Sequence, residues 1–126
     1  MTAREQLAQV YAAFNERGLE SSDEFWHPDI EYREADDFPG AGSYKGREAV
    51  RAKFAEYVEV LGIERAELEQ VVDHGDRVVW SVRFSGRTSE GVPNAHSWGY
   101  AGRLRDGMLI ELRAYYDPAE ALASAD

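Results

Sequence analysis

An α+β domain, with helices laid on one face of a curved sheet, is the fold class this sequence predicts. Three observations predict it. Residues 2–17 and 46–61 carry apolar side chains at three- and four-residue spacing, the period of a helix with one buried face. Four later stretches alternate apolar and polar residues between clusters of Gly, Pro, Asn and Asp, the pattern of half-buried strands. The late strands follow one another through short turns, which makes an antiparallel meander rather than parallel crossovers.

The first helix is expected over 2–17. Leu7, Val10, Tyr11 and Phe14 share a face, Thr2 with Glu5 forms a capping box, and Gly18 sits at the stop. Ser21 and Glu24 repeat the capping spacing ahead of Phe25 and Trp26, so a short second helix is expected, closed by Pro28. Ile30, Tyr32 and Glu34 alternate with Glu31 and Arg33 as a short strand, and ADDFPGAGS is a loop that can act as a lid. The helix from Gly46 to Leu61 gathers Val50, Phe54, Tyr57, Val58 and Leu61. ERAELEQVV, RVVWSVRFSGRT, AHSWGYAGRLR and MLIELRAYY are the four strands; His74-Gly75-Asp76 and Asp106-Gly107 turn the chain between them. Asp117-Pro118 with Glu120 opens a terminal helix. The order of the main elements is α-α-β-α-β-β-β-β, read as one domain over 1–126.

Composition narrows the function. The chain of 126 residues holds no cysteine, which excludes disulfide and thiolate chemistry and suits a cytoplasmic protein. No apolar run approaches the roughly 20 residues of a membrane span, and the start lacks the plan of a signal peptide. A formal net charge of −10 repels phosphate backbones, so nucleic acid is not an expected partner. His27, His74 and His96 show no ligand spacing, and neither metal nor cofactor is expected.

The stretch NAHSWGYAG carries the functional signal. His96, Trp98 and Tyr100 stand at every second position with small residues between, so in a strand they form one row on one face. In MLIELRAYY, Met108, Ile110, Leu112, Ala114 and Tyr116 share the face expected to meet the helices. RVVWSVRFSGR admits two solutions. Val78, Trp80, Val82 and Phe84 can point inward and leave Arg83 in solvent, or they can meet a partner subunit while Ser81, Arg83 and Ser85 face a cavity.

The segments VYAAFNERGL, WHPDIEYRE, YKGREAVRAKF, DHGDRVVWSVRFSGR and HSWGYAGRLRDGMLIELRAYYDPAEAL, in this order, resemble the SnoaL-like branch of the nuclear transport factor two-like superfamily, which includes ketosteroid isomerase. The resemblance implies a cone-shaped mixed sheet around N-terminal helices, the cystatin-like α+β barrel, with a pocket between helices and sheet. It implies the second solution for residues 77–87: Arg83 and Ser81 in the pocket, and a homodimer through the face carrying Trp80 and Phe84. It places Glu34 where the isomerase has its general base, and Val10 about where that enzyme has its oxyanion tyrosine. Tyr100 or a neighbour takes the place of the isomerase's protonated aspartate, so steroid isomerisation is disfavoured. Epoxide hydrolases of the superfamily flank an arginine with acids; Arg83 has Ser81 and Ser85 instead, which disfavours that reaction too.

The expected chemistry is cofactor-independent proton transfer on a small, apolar, oxygenated molecule, by isomerisation, cyclisation or dehydration. Glu34 and His96 are the candidate acid–base groups and Arg83 the candidate oxyanion partner. Val10, Phe14, Tyr32, Phe54 and Ser81 are expected wall residues, with Trp98, Tyr100, Leu112 and Tyr116 opposite. The alternative is a binding or dimerisation module that keeps the cavity without the chemistry.

Overall fold

The computed structural model describes residues 2–38 and 40–124. Helix α1 (Ala3–Arg17) starts on the expected capping box, in which Thr2 accepts from the Glu5 amide and Glu5 reaches back to Thr2. Gly18 ends it at φ 81, a backbone state that glycine adopts without steric cost. Next come a 3-10 turn (Leu19–Glu24), β1 (Trp26–Arg33), β2 (Ser43–Lys45) and α2 (Arg47–Leu61). Four long strands follow, β3 (Ile63–His74), β4 (Arg77–Arg87), β5 (Pro93–Arg105) and β6 (Met108–Tyr115), before α3 (Pro118–Ala123).

The six strands form one curved, unclosed mixed sheet in the order β2-β1-β6-β5-β4-β3. Only β1 and β6 run parallel; the other neighbours are antiparallel. Bulges in β3 and at the β5–β6 seam bend the sheet toward the helices. The concave face packs on α1 and α2 through Leu7, Ile30, Tyr32, Val50, Val82 and Leu109, all at most 2% exposed. Among the described residues no helix is long and apolar enough to cross a membrane.

Several local expectations need correction. The segment expected as a second helix is a 3-10 turn, and Trp26 already belongs to β1. Pro28 lies inside β1, where the pairing with β6 shifts register between Trp26 and Glu31; a proline has no N–H to give a ladder, and an irregular stretch tolerates it. The loop expected over 35–43 yields its last residue to β2, a three-residue edge strand pairing Tyr44 with Tyr32. Between β5 and β6, Leu104 faces Leu109 but Arg103 faces Glu111, so the register slips by one. Leu109 therefore points inward together with Leu112, and the simple alternation from Met108 to Tyr116 is broken.

The larger correction concerns β4. It pairs with β5 without a bulge: Trp80 opposes Tyr100, Val82 opposes Trp98 and Phe84 opposes His96. Directly opposed residues share a face. Trp80, Val82 and Phe84 thus turn toward the helices with the His96 row, and Ser81 and Arg83 turn outward. Trp80 is 2% exposed and donates through Nε1 to the Tyr11 hydroxyl at 2.9 Å. The apolar face from which a homodimer was expected is interior to the protomer. Outside, α3 lies across Gly99, whose strand partner is Ser81; Ser81 is buried there, while Arg83 is exposed.

Candidate functional site

Two adjoining spaces lie between the helices and the concave face. The outer one, a vestibule of about 480 Å³, is lined by Glu34 and Phe38, by Lys53, Tyr57 and Val60 of α2, and by His96, Trp98 and Tyr116 of the late strands. The inner one is a crevice of about 60 Å³ walled by Val10, Tyr11, Phe14, Phe54, Trp80, Tyr100 and Leu112, among others. Tyr57, Leu61, Ile63, Phe84 and Trp98 line both.

Glu34 follows β1 directly and is 4% exposed. Its Oε1 accepts from the Gly42 amide and the Tyr44 hydroxyl, each at 3.2 Å. Its Oε2 accepts a short hydrogen bond from the Tyr57 hydroxyl, and Lys53 Nζ stands 3.9 Å away. Tyr57 in turn is 3.1 Å from the Tyr32 hydroxyl; since Tyr57 gives its proton to Glu34, Tyr32 is the donor. Burial, and then donation to the carboxylate, push the Tyr57 ionisation well above the usual tyrosine range. Burial and the Tyr57 neighbour do the same to Tyr32. Both phenols therefore remain donors at neutral pH. Three hydrogen-bond donors and the Lys53 ammonium thus engage the two Glu34 oxygens.

Lys53 also pairs with Glu56 at 3.1 Å and lies 5.4 Å from the Tyr44 ring centroid. Glu56 first, then Tyr44 and Glu34, hold its ammonium above the usual lysine range. His96 stands on the opposite wall, its ring 4.5 Å from that of Tyr116 and 5.4 Å from that of Trp98. Its Nε2 lies 3.3 Å from the Tyr116 carbonyl oxygen. A carbonyl only accepts, so Nε2 is the donor in this contact, and in the neutral imidazole the lone pair then lies on Nδ1. Phe38 sits edge-on to Trp98 at 4.8 Å, and Asp36 ties its loop to Arg33 and Arg113, each at 3.0 Å.

In the crevice Tyr11 accepts from Trp80, and Tyr100 lies against the Trp80 ring at 5.5 Å. Burial raises both phenols above the usual range, so both stay protonated. The Tyr100 hydroxyl makes no hydrogen bond to any described residue.

Of the residues singled out from sequence, Glu34, His96, Trp98 and Tyr116 meet in the vestibule. Val10, Phe14, Phe54, Tyr100 and Leu112 meet in the crevice. Tyr32 lines neither and backs the wall through Tyr57 and Phe54. Ser81 and Arg83, expected in the pocket, lie on the far side of the sheet, and the cation beside Glu34 is Lys53. Lys53 was missed, as were the polar roles of Tyr11, Tyr44 and Tyr57. For Lys53 and Tyr57 a signal existed: with Val60 they stand at i, i+4 and i+7, one stripe beside the apolar face of α2. Among the described residues no group of three His, Asp or Glu side chains is placed to hold a metal ion.

Solved structures with this architecture are numerous. TerC, co-crystallised with polyporic acid, superposes with a TM-score of 0.75 at 23% identity, covering 92% of each chain. Bal32a, from a soil-derived mobile gene cassette, gives 0.74 at 25% identity over 96% of this chain and 93% of its own. An NTF2-like protein of unknown function from Burkholderia pseudomallei gives 0.72 at 20% identity over 98% and 97%. A comparison with curated proteins returns no match. The SnoaL-like domain pattern matches residues 7–112, from the middle of α1 to the middle of β6. By that match, and by a fold shared along nearly its whole length, the chain belongs to the SnoaL-like domain family.

Proposed function

We propose that the protein binds a largely apolar, carbonyl-bearing small molecule in the vestibule and moves a proton on the carbon beside the carbonyl. His96 takes the proton on Nδ1, the nitrogen that its contact with Tyr116 leaves unprotonated. Lys53, kept charged, stabilises the enolate oxygen as it forms. Glu34 is a positioning residue: with Tyr57 and Tyr44 it holds Lys53 at the cavity wall. The observation that carries this reading is the common placement of a half-engaged imidazole and a paired ammonium on one aromatic-walled space of about 480 Å³. Polyporic acid, present with the similar TerC, is a first binding probe.

The test uses 2-tetralone in deuterated water, with exchange beside the carbonyl followed by NMR. Saturable exchange is expected. His96→Ala should lower it by about 10²-fold or more, the usual weight of acid–base assistance. Lys53→Met should lower it at least tenfold, while Arg83→Ala, on the far face, leaves it unchanged. Variants at 53 and 96 that both match the parent protein refute the proposal. The full engagement of the Glu34 oxygens favours a second reading, a binding module without chemistry; saturable binding with no exchange would establish it.

A further inference from the structure

The acceptor that orients His96 sits where the sheet no longer holds the chain. The last rung between β5 and β6 sets Gly99 opposite Tyr115, so neither His96 nor Tyr116 has a partner in that pairing. Tyr116 stands one residue past the rung, on the vestibule, with its carbonyl oxygen 3.3 Å from His96 Nε2. A carbonyl and the amide that follows it form one rigid plane, so the direction of this acceptor is tied to Asp117. Asp117 is the N-cap of α3, where its carboxylate accepts from the Ala119 amide at 2.9 Å.

α3 itself rests on the other side of the sheet. The chain passes from the concave face at Tyr116 to the convex face at Pro118 within two residues. It seats there because residue 99 has no side chain: a Cβ at that position would stand 2.4 Å from the Ala121 Cβ and 3.0 Å from the Pro118 Cα. Ala121 is wholly buried in that seat.

We infer that α3 is a clamp for the His96 ring: seated on Gly99, it holds the peptide between residues 116 and 117 so that the Tyr116 carbonyl takes the Nε2 hydrogen bond and Nδ1 is left free. Gly99 and Ala121 on the far face, and Asp117 at the crossing, are thus positioning residues. The use of Nδ1 in catalysis rests on the proton-transfer proposal, whereas the clamp itself does not. The tolerance is narrow. Bringing a methyl group at residue 99 from 2.4 Å to an ordinary contact of 3.4 Å moves α3 by about 1 Å. The His96 bond starts at 3.3 Å, and a contact stretched past about 3.5 Å is no longer a hydrogen bond.

The experiment records long-range proton–nitrogen NMR spectra of the intact protein labelled with ¹⁵N-histidine, with His96 assigned by its loss in His96→Ala. On the neutral limb of the titration, the parent should show Nε2 protonated and Nδ1 unprotonated. Gly99→Ala should move both nitrogens toward the values of exchanging tautomers, and Ala121→Gly in the same chain should return them. Asp117→Ala, which removes only the cap, should give a smaller shift of the same sign. Asn15→Ala, a destabilising change at the β3 edge, should give none. In parallel, Gly99→Ala should lower kcat for 2-tetralone exchange about tenfold or more while KM changes by no more than about twofold, the mark of misplacement rather than lost binding. A parent protein with Nδ1 protonated, His96 nitrogens unmoved in both Gly99→Ala and Asp117→Ala, or an equal shift in Asn15→Ala overturns the clamp. The expected spectra in a protein without exchange leave the clamp standing and refute the proton transfer, so the two proposals fail separately.

Discussion

Raising the pH should unfold this protein through its buried phenols. Tyr11, Tyr32 and Tyr100 all ionise well above the ordinary tyrosine value of 10.0, chiefly because burial disfavours phenolate. The folded state thus keeps protons that the unfolded chain releases above pH 10. Stability equals its neutral-pH value below pH 10 and falls as pH rises further, by about 1.4 kcal/mol per unit for each such group. At pH 11 three groups amount to about 4 kcal/mol, and half-buried Tyr57, discounted for solvent screening, adds about 0.7 kcal/mol. A chain of this size has roughly 6–19 kcal/mol to lose, so the loss is a large fraction of the whole. Denaturant midpoints measured between pH 8 and pH 11, with tyrosinate absorbance recorded in parallel, check it. Tyr100→Phe should reduce the slope above pH 10 by about 1.4 kcal/mol per unit. All seven tyrosines titrating near pH 10 in a protein with unchanged circular dichroism would refute the reasoning.

Two further outcomes test the packing around the site. A methyl group at residue 99 would stand 2.4 Å from the Ala121 Cβ and 3.0 Å from the Pro118 Cα, so Gly99→Ala should lift α3 and cost about 1–3 kcal/mol. Thermal denaturation should show Ala121→Gly in the same chain recovering at least half of that, and a melting temperature equal to the parent's for the single variant would refute the close contact. Asn15 closes the outer edge of β3: its Nδ2 donates to the Ala66 carbonyl at 2.9 Å and its Oδ1 accepts from the Ala66 amide at 2.8 Å. Asn15→Ala leaves both groups of a 2%-exposed residue unpaired and should lower the denaturation free energy by about 2–3 kcal/mol in urea titrations.

Much of this architecture was legible in the residues, for reasons that differ between elements. Thr2, Glu5 and Gly18 bound α1 through contacts within a single turn, and local chemistry of that kind needs no knowledge of the rest of the chain. The row of His96, Trp98 and Tyr100 was legible because a strand's period is two and its reverse side holds only small residues. β2 was not: Ser-Tyr-Lys has no pattern, and it pairs only because β1 lies beside it. The Glu34 cluster was illegible for a related reason. Its donors come from residues 42, 44 and 57, eight to 23 positions away, and only the closed fold brings them to one carboxylate.

The reversal of β4 shows how one register decision sets the chemistry of a whole interior. Hydrophobic alternation alone sends Trp80, Val82 and Phe84 inward, and the pairing with β5 agrees. The resemblance suggested the opposite parity, and the five residues between Arg87 and Pro93 carry no side-chain signal that fixes which positions become opposed. With Ser81 and Arg83 inside, the floor of the cavity would be polar and a charge could act deep within it. With Trp80, Val82 and Phe84 inside, hydrocarbon fills the floor until only about 60 Å³ remains. Fixed charge is then tolerable only toward the mouth, where solvent and partners share it, and that is where Glu34, Lys53 and Glu56 are found. The same parity that buries the tryptophan thus moves the reactive groups outward and leaves one unpaired phenol behind them.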